Sequence, residues 1–171
     1  MLNCGSDFGL VLCLGENSMS ILFGESLKNY NRTFLRMDEF YHNIATKSGL
    51  SDCAFWILYS ICEDGDGCSQ KMLCDKLSVS KQTVHSAIRK LEQDNILYLK
   101  AGKGRDKYIY LTETGKLFVE EKIAAIISIE NAAFTSMGEQ DAKEFERLTE
   151  LYVGLLRENY EAMMQRKKGE Q

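Results

Sequence analysis

Apolar residues recur along most of this chain at steps of three and four, and the places where that rhythm stops divide it into segments. From Phe23 they stand at Leu27, Tyr30, Phe34, Met37, Tyr41 and Ile44, the kind of seam one long helix offers another. A second helix is predicted from Asp52 to Cys62, capped by Ser51 and dense in aromatic residues at Phe55, Trp56 and Tyr59. Two short runs follow, Gln70 to Leu77 behind Ser69 and Lys81 to Gln93 behind Ser80, with Ser78 and Val79 turning the chain between them. In the second run Val84, Ala87, Ile88 and Leu91 share a face. Lys81, Gln82, Thr83, His85, Ser86, Arg89 and Lys90 are left largely on the other. Asn95, which tolerates left-handed backbone, ends it.

Past Asn95 the period changes to two. Ile96 to Lys100 and Lys107 to Leu111 are β-branched and aromatic segments joined by Ala101-Gly102-Lys103-Gly104-Arg105-Asp106, a hairpin with a basic, glycine-flexed tip. Thr112 can cap a further helix to about Phe134, with Leu117, Ile123, Ile126, Ile127 and Ile129 on its apolar face; Gly115 is expected to weaken its first turn. Met137-Gly138 interrupts the pattern. A last helix from Glu139 to about Arg166 carries Phe145, Leu148, Leu151, Tyr152, Leu155, Leu156 and Met163, and the chain ends in a basic stretch expected to fray.

Two short capped helices, a tight turn and a strand pair laid end to end are the order of a winged helix-turn-helix. The segment Ser78-Val79-Ser80-Lys81-Gln82-Thr83 through Leu97, followed by a wing and then Leu111-Thr112-Glu113-Thr114-Gly115, resembles the MarR family of bacterial transcriptional regulators. The resemblance runs from about Met19 to Arg166. It implies a mainly α fold with a small β-wing, in which a winged helix-turn-helix lobe is joined to long N- and C-terminal dimerisation helices. On that reading residues 1–18 are a disordered or mis-started extension and 19–48 an N-terminal dimerisation helix. Residues 49–112 are then the DNA-binding lobe and 113–171 the C-terminal dimerisation helices. Arg105 matches the family's wing-tip arginine, and Lys103-Gly104-Arg105 stands where the family usually has Asp-x-Arg.

Composition changes this picture in three places. Proline is absent, which suits uninterrupted helices. The net charge of −4 hides an asymmetry, because Ser69 to Tyr110 holds nine Lys and Arg against four acids, about +5, and leaves about −9 elsewhere. Of six cysteines none forms a C-x-x-C pair, so buried reduced thiols are expected rather than a disulfide scaffold; Cys62 and Cys68, flanking an acidic turn, are the candidates for redox sensing. Gly9 to Leu14 is apolar but too short to span a bilayer. No membrane role is expected, and the cytoplasm is the expected compartment.

In a helix-turn-helix the second helix enters the major groove with its first residues nearest the base edges. The predicted DNA contacts are therefore Ser80, Lys81, Gln82, Thr83, His85 and Ser86, with Gln82 suited to adenine and Lys81 to guanine or phosphate. Ser69 and Gln70 open the preceding helix and are assigned to phosphate, and Lys103, Arg105 and Lys107 of the wing to the minor groove and its edges. The expected partners are double-stranded DNA with a pseudo-palindromic operator and a second copy of the chain. The resemblance further implies a small aromatic effector, which by position would meet Tyr41, His42, Phe55, Trp56 and Tyr59. Glu63-Asp64-Gly65-Asp66-Gly67 holds part of a calcium-loop pattern without its later ligands and is read as a solvated turn. No cofactor, metal site or catalytic motif is expected. The reading is thus a dimeric sequence-specific regulator, a repressor before an activator. Its alternatives are a winged protein-interaction module that has lost DNA and a thiol-based redox regulator.

Overall fold

The structure, a computed structural model, describes residues 23–102 and 107–169. In chain order these form α1 (Glu25–Lys47), α2 (Asp52–Asp64), β1 (Cys68–Ser69), α3 (Gln70–Leu77), α4 (Lys81–Gln93), β2 (Leu97–Ala101), β3 (Lys107–Leu111), α5 (Glu113–Met137) and α6 (Glu139–Gly169). The expected extension 1–18 lies outside the described residues. The helix α1 belongs to one compact unit and α2 to α6 to another.

Four side chains set the starts of the helices around the lobe. Ser51, Ser69, Ser80 and Thr112 each sit in extended backbone and accept an amide hydrogen three residues on, from Ala54, Met72, Thr83 and Gly115 at 2.9–3.2 Å. Between α3 and α4 the turn passes through Ser78 in left-handed backbone, φ +53°. The core of this unit comes from the shared apolar faces: Phe55, Ile57 and Leu58 of α2, Leu73 of α3, Val84, Ile88 and Leu91 of α4, Leu97 and Ile109 of the sheet and Ile123 of α5 are all fully buried. Each such side chain contributes about 1.5–3 kcal/mol relative to exposure.

The hairpin of β2 and β3 is expected from the alternation, with Leu97 opposite Leu111 and Leu99 opposite Ile109. A third strand is not. Cys68 and Ser69 pair antiparallel with Ile109 and Tyr108, so the sheet order is β1-β3-β2 and Ser69 serves both as strand end and as helix cap. The acidic turn between α2 and β1 is exposed, as expected of a solvated turn. Asp66 accepts the amide of Leu111 at 3.0 Å, while Glu63 and Asp64 both take Lys76 at 2.7 Å. The turn is thus also a tie between α2, α3 and the wing.

The stretch that follows α4 meets the start of α5 closely. Asn95 takes φ +56°, its amide returns to Glu92, and the Ile96 amide returns to Leu91, so α4 ends in a left-handed reversal. The Ile96 carbonyl then accepts the Thr112 amide at 3.0 Å, and the Thr112 hydroxyl donates to the Asn95 carbonyl at 2.6 Å. Here Gly115, expected only to weaken a helix turn, has a different task. A Cβ at this position would overlap the Ile96 carbonyl oxygen and lie 2.8 Å from its carbon. Glycine lets the first turn of α5 rest directly on the end of α4.

The long helices leave much apolar surface uncovered. Phe23, just before α1, and Leu27, Tyr30, Phe34 and Met37 of α1 are exposed, as are Phe145, Leu148, Leu151, Leu155 and Leu156 of α6. Gly138, at φ +80°, separates α5 from α6, and Phe134 meets Phe145 edge-on across that break.

Candidate functional site

The polar face of α4 is aimed by its cap. Ser80 accepts the Thr83 amide at 3.1 Å and shares a hydrogen with the Thr83 hydroxyl at 2.8 Å, which fixes the first turn of the helix and leaves Lys81 and Gln82 projecting from it. Gln70, Lys81, Gln82, His85 and Lys107 line one open groove of about 510 Å³, with Leu99 of β2 as its apolar wall. Five residues assigned from the sequence to DNA therefore meet at one place, drawn from α3, α4 and β3. Leu99 was not among them. Its only signal in the sequence was its position in the alternation of β2.

The assignment divides the remaining residues. Thr83 and Ser86 line a separate groove of about 440 Å³ with Ser51, Cys53 and Lys90, on the side of α4 that faces the start of α2. Ser69 holds the Met72 amide and opens α3. Gln70, assigned to phosphate, has its amide 3.5 Å from Nδ1 of His85. Lys103 and Arg105 lie outside the described residues.

Charge within the lobe is uneven. Lys76 is held by two carboxylates, and hydrogen bonds to Asp64 and then Glu63 push its ammonium pKa up; Lys90 is paired with Asp94 at 2.8 Å. Among the described residues no carboxylate pairs with Lys81, Lys100 or Lys107. The cations around the groove thus keep their charge available to an anion.

The aromatic candidates of α2 separate. Phe55 is fully buried core; Trp56, 5.2 Å from it edge-on, lines a groove of about 490 Å³ with Cys53, Lys76, Leu77 and Val79. Tyr59 donates to Glu130 of α5 at 2.6 Å. Tyr41 and His42 belong to α1. Burial pushes the Cys68 thiol up, and the same cause raises Cys62, so both hold less thiolate at neutral pH than an exposed cysteine. Among the described residues no group of three potential ligands could hold a metal, and no helix is long and apolar enough to cross a membrane.

Residues 48–105, from the end of α1 through the wing, match the model of the MarR family. Over this segment the chain is similar to the MarR family. The MarR fold extends well beyond it. A MarR family regulator from Neisseria meningitidis is 20% identical and superposes with a TM-score of 0.63 over 80% of this chain and 99% of its own. Staphylococcus aureus MepR, solved as a DNA complex, is 20% identical with a TM-score of 0.61 over 78% of this chain and 99% of that one. A Staphylococcus aureus MarR in complex with salicylate and kanamycin is 13% identical, TM-score 0.60, over 77% and 92%. These likenesses are of fold. None of the curated proteins matches the chain in sequence.

Proposed function

We propose that this chain is a dimeric, cytoplasmic, sequence-specific DNA-binding regulator of MarR type, acting as a repressor. The observation that carries the reading is the groove in which Gln70, Lys81, Gln82, His85 and Lys107 converge, its cations unpaired among the described residues. Helix α4 would lie in the major groove with Gln82 at the base edges, and the wing, with Lys103 and Arg105, would run along the minor groove. The DNA-bound state of the similarly folded MepR supports this use of the fold. Selection of bound sites from random duplex DNA tests it. Gln82→Ala should cost roughly 1–3 kcal/mol on the selected site and barely change non-specific binding. Equal weakening on all sequences would remove Gln82 from base readout, and failure to select any sequence would favour a winged protein-interaction module instead.

The dimer is supported by the exposed apolar positions of α1 and α6. Sedimentation at micromolar concentration should give twice the mass of 19.5 kDa. A single-chain mass would refute the dimer. The salicylate complex of a similarly folded protein supports release by a small aromatic effector, for which Trp56 and Tyr59 are the aromatic residues of α2 that are not core. Redox control through Cys62 or Cys68 gains no support, since burial raises both thiols.

A further inference from the structure

Gln70 belongs to α3, yet its amide meets the imidazole of His85 on α4 inside the groove that carries the proposed DNA contacts. His85 stands one turn beyond Lys81 and Gln82 and is exposed, so in a recognition helix its ring is the next group to reach base edges. A neutral imidazole has one donor nitrogen and one acceptor, and the partner of one nitrogen sets the role of the other. Gln70 can meet Nδ1 with either end of its amide. The charges of the groove choose between them. Lys81 and Lys107 line it, and among the described residues no carboxylate does. Two ammonium groups in the groove favour an amide whose oxygen turns away from the ring, in keeping with the amide nitrogen standing 3.5 Å from Nδ1, so that the NH2 donates there. The ring proton then sits on Nε2.

We propose that Gln70 and His85 form a guanine reader, Gln70 acting as the positioning residue that holds His85 in the tautomer whose Nε2–H donates to a base. This rests on the DNA-binding reading above. Of the four bases, guanine alone presents two adjacent acceptors, N7 and O6, with no neighbouring donor in the major groove. Cytosine presents a donor, which a donor-only nitrogen rejects. Adenine sets an amino group beside its single acceptor, and thymine a methyl. The chain would therefore read two different base types from one helix turn, adenine through the amide fork of Gln82 and guanine through His85.

Sites selected from random duplex DNA by the full chain should carry a guanine at one position of each half-site, and His85→Ala should abolish the preference at that position alone. Replacing that guanine by 7-deazaguanine, which exchanges N7 for C–H, should weaken binding of the wild type about 10-fold and leave His85→Ala unaffected. Gln70→Ala should lower the preference for guanine about threefold, whereas loss of a neutral phosphate ligand would weaken all sequences alike and leave the preference unchanged. The inference is overturned if His85→Ala keeps every base preference, if 7-deazaguanine weakens wild type and variant alike, or if Gln70→Ala weakens all sequences equally and keeps the guanine preference. A chain that binds no duplex in a salt-dependent way overturns the DNA-binding reading itself, and this inference with it.

Discussion

Gly115→Ala destabilises the chain by about 3 kcal/mol and lowers its melting temperature by roughly 10 °C. On an ordinary helix the same change would stabilise, because alanine is the better helix former by about 1 kcal/mol. The sign reverses here because the added methyl meets backbone and not a side chain that can swing away. It would overlap the Ile96 carbonyl oxygen, whose position is held by the amide of Thr112 at 3.0 Å. Relief requires α5 to lift from the end of α4, and that lift breaks the Thr112 hydrogen bonds to Asn95 and Ile96 together. Thermal or urea unfolding measures the effect. A variant within 1 kcal/mol of the parent, or more stable, would show that the junction relaxes without cost.

The second large effect is on DNA affinity. Raising salt from 50 to 200 mM weakens operator binding on the order of 10³-fold, because each phosphate neutralised releases a condensed counterion. A dimer would present Lys81, Lys107 and the wing cations twice, enough to neutralise six or more phosphates. Arg105→Ala then makes the slope of log affinity against log salt shallower by about one unit for each phosphate no longer neutralised. Fluorescence anisotropy with a labelled duplex gives the slope directly. A flat salt response would leave no electrostatic role for the basic lobe.

Much of the fold was legible because its signals are local. Ser51, Ser69, Ser80 and Thr112 each stand directly before a run of helical period, and the structure gives each the capping bond its position implies. Asn95 was readable for the same reason. What could not be read depends on partners far along the chain. Strand β1 is two residues with no period of its own, and its pairing with Ile109 is set by the wing. Asp66 is exposed as expected, but the amide it holds, that of Leu111, lies 45 residues away. Gly115 looked like a flaw in α5 because the carbonyl that excludes a side chain belongs to Ile96. In the site, the residue types of α4 pointed to base contact, but their division between two grooves did not follow from helical spacing alone. Gln70 and His85 are 15 residues apart on different helices, and only the packing of α3 against α4 brings them together.

The hydrogen bonds around Ile96 join two segments that stand 16 residues apart in the chain. Asn95 in its left-handed reversal, Ile96 bonded through both its amide and its carbonyl, and Thr112 bridging the two segments tie the stretch that follows α4 to the head of α5. A tilt of α5, 25 residues long, would therefore be felt at the stretch that ends α4. In the proposed dimer the distance between paired lobes would then depend on how the long helices meet, and a change far from the groove would alter which spacing of half-sites the pair can straddle.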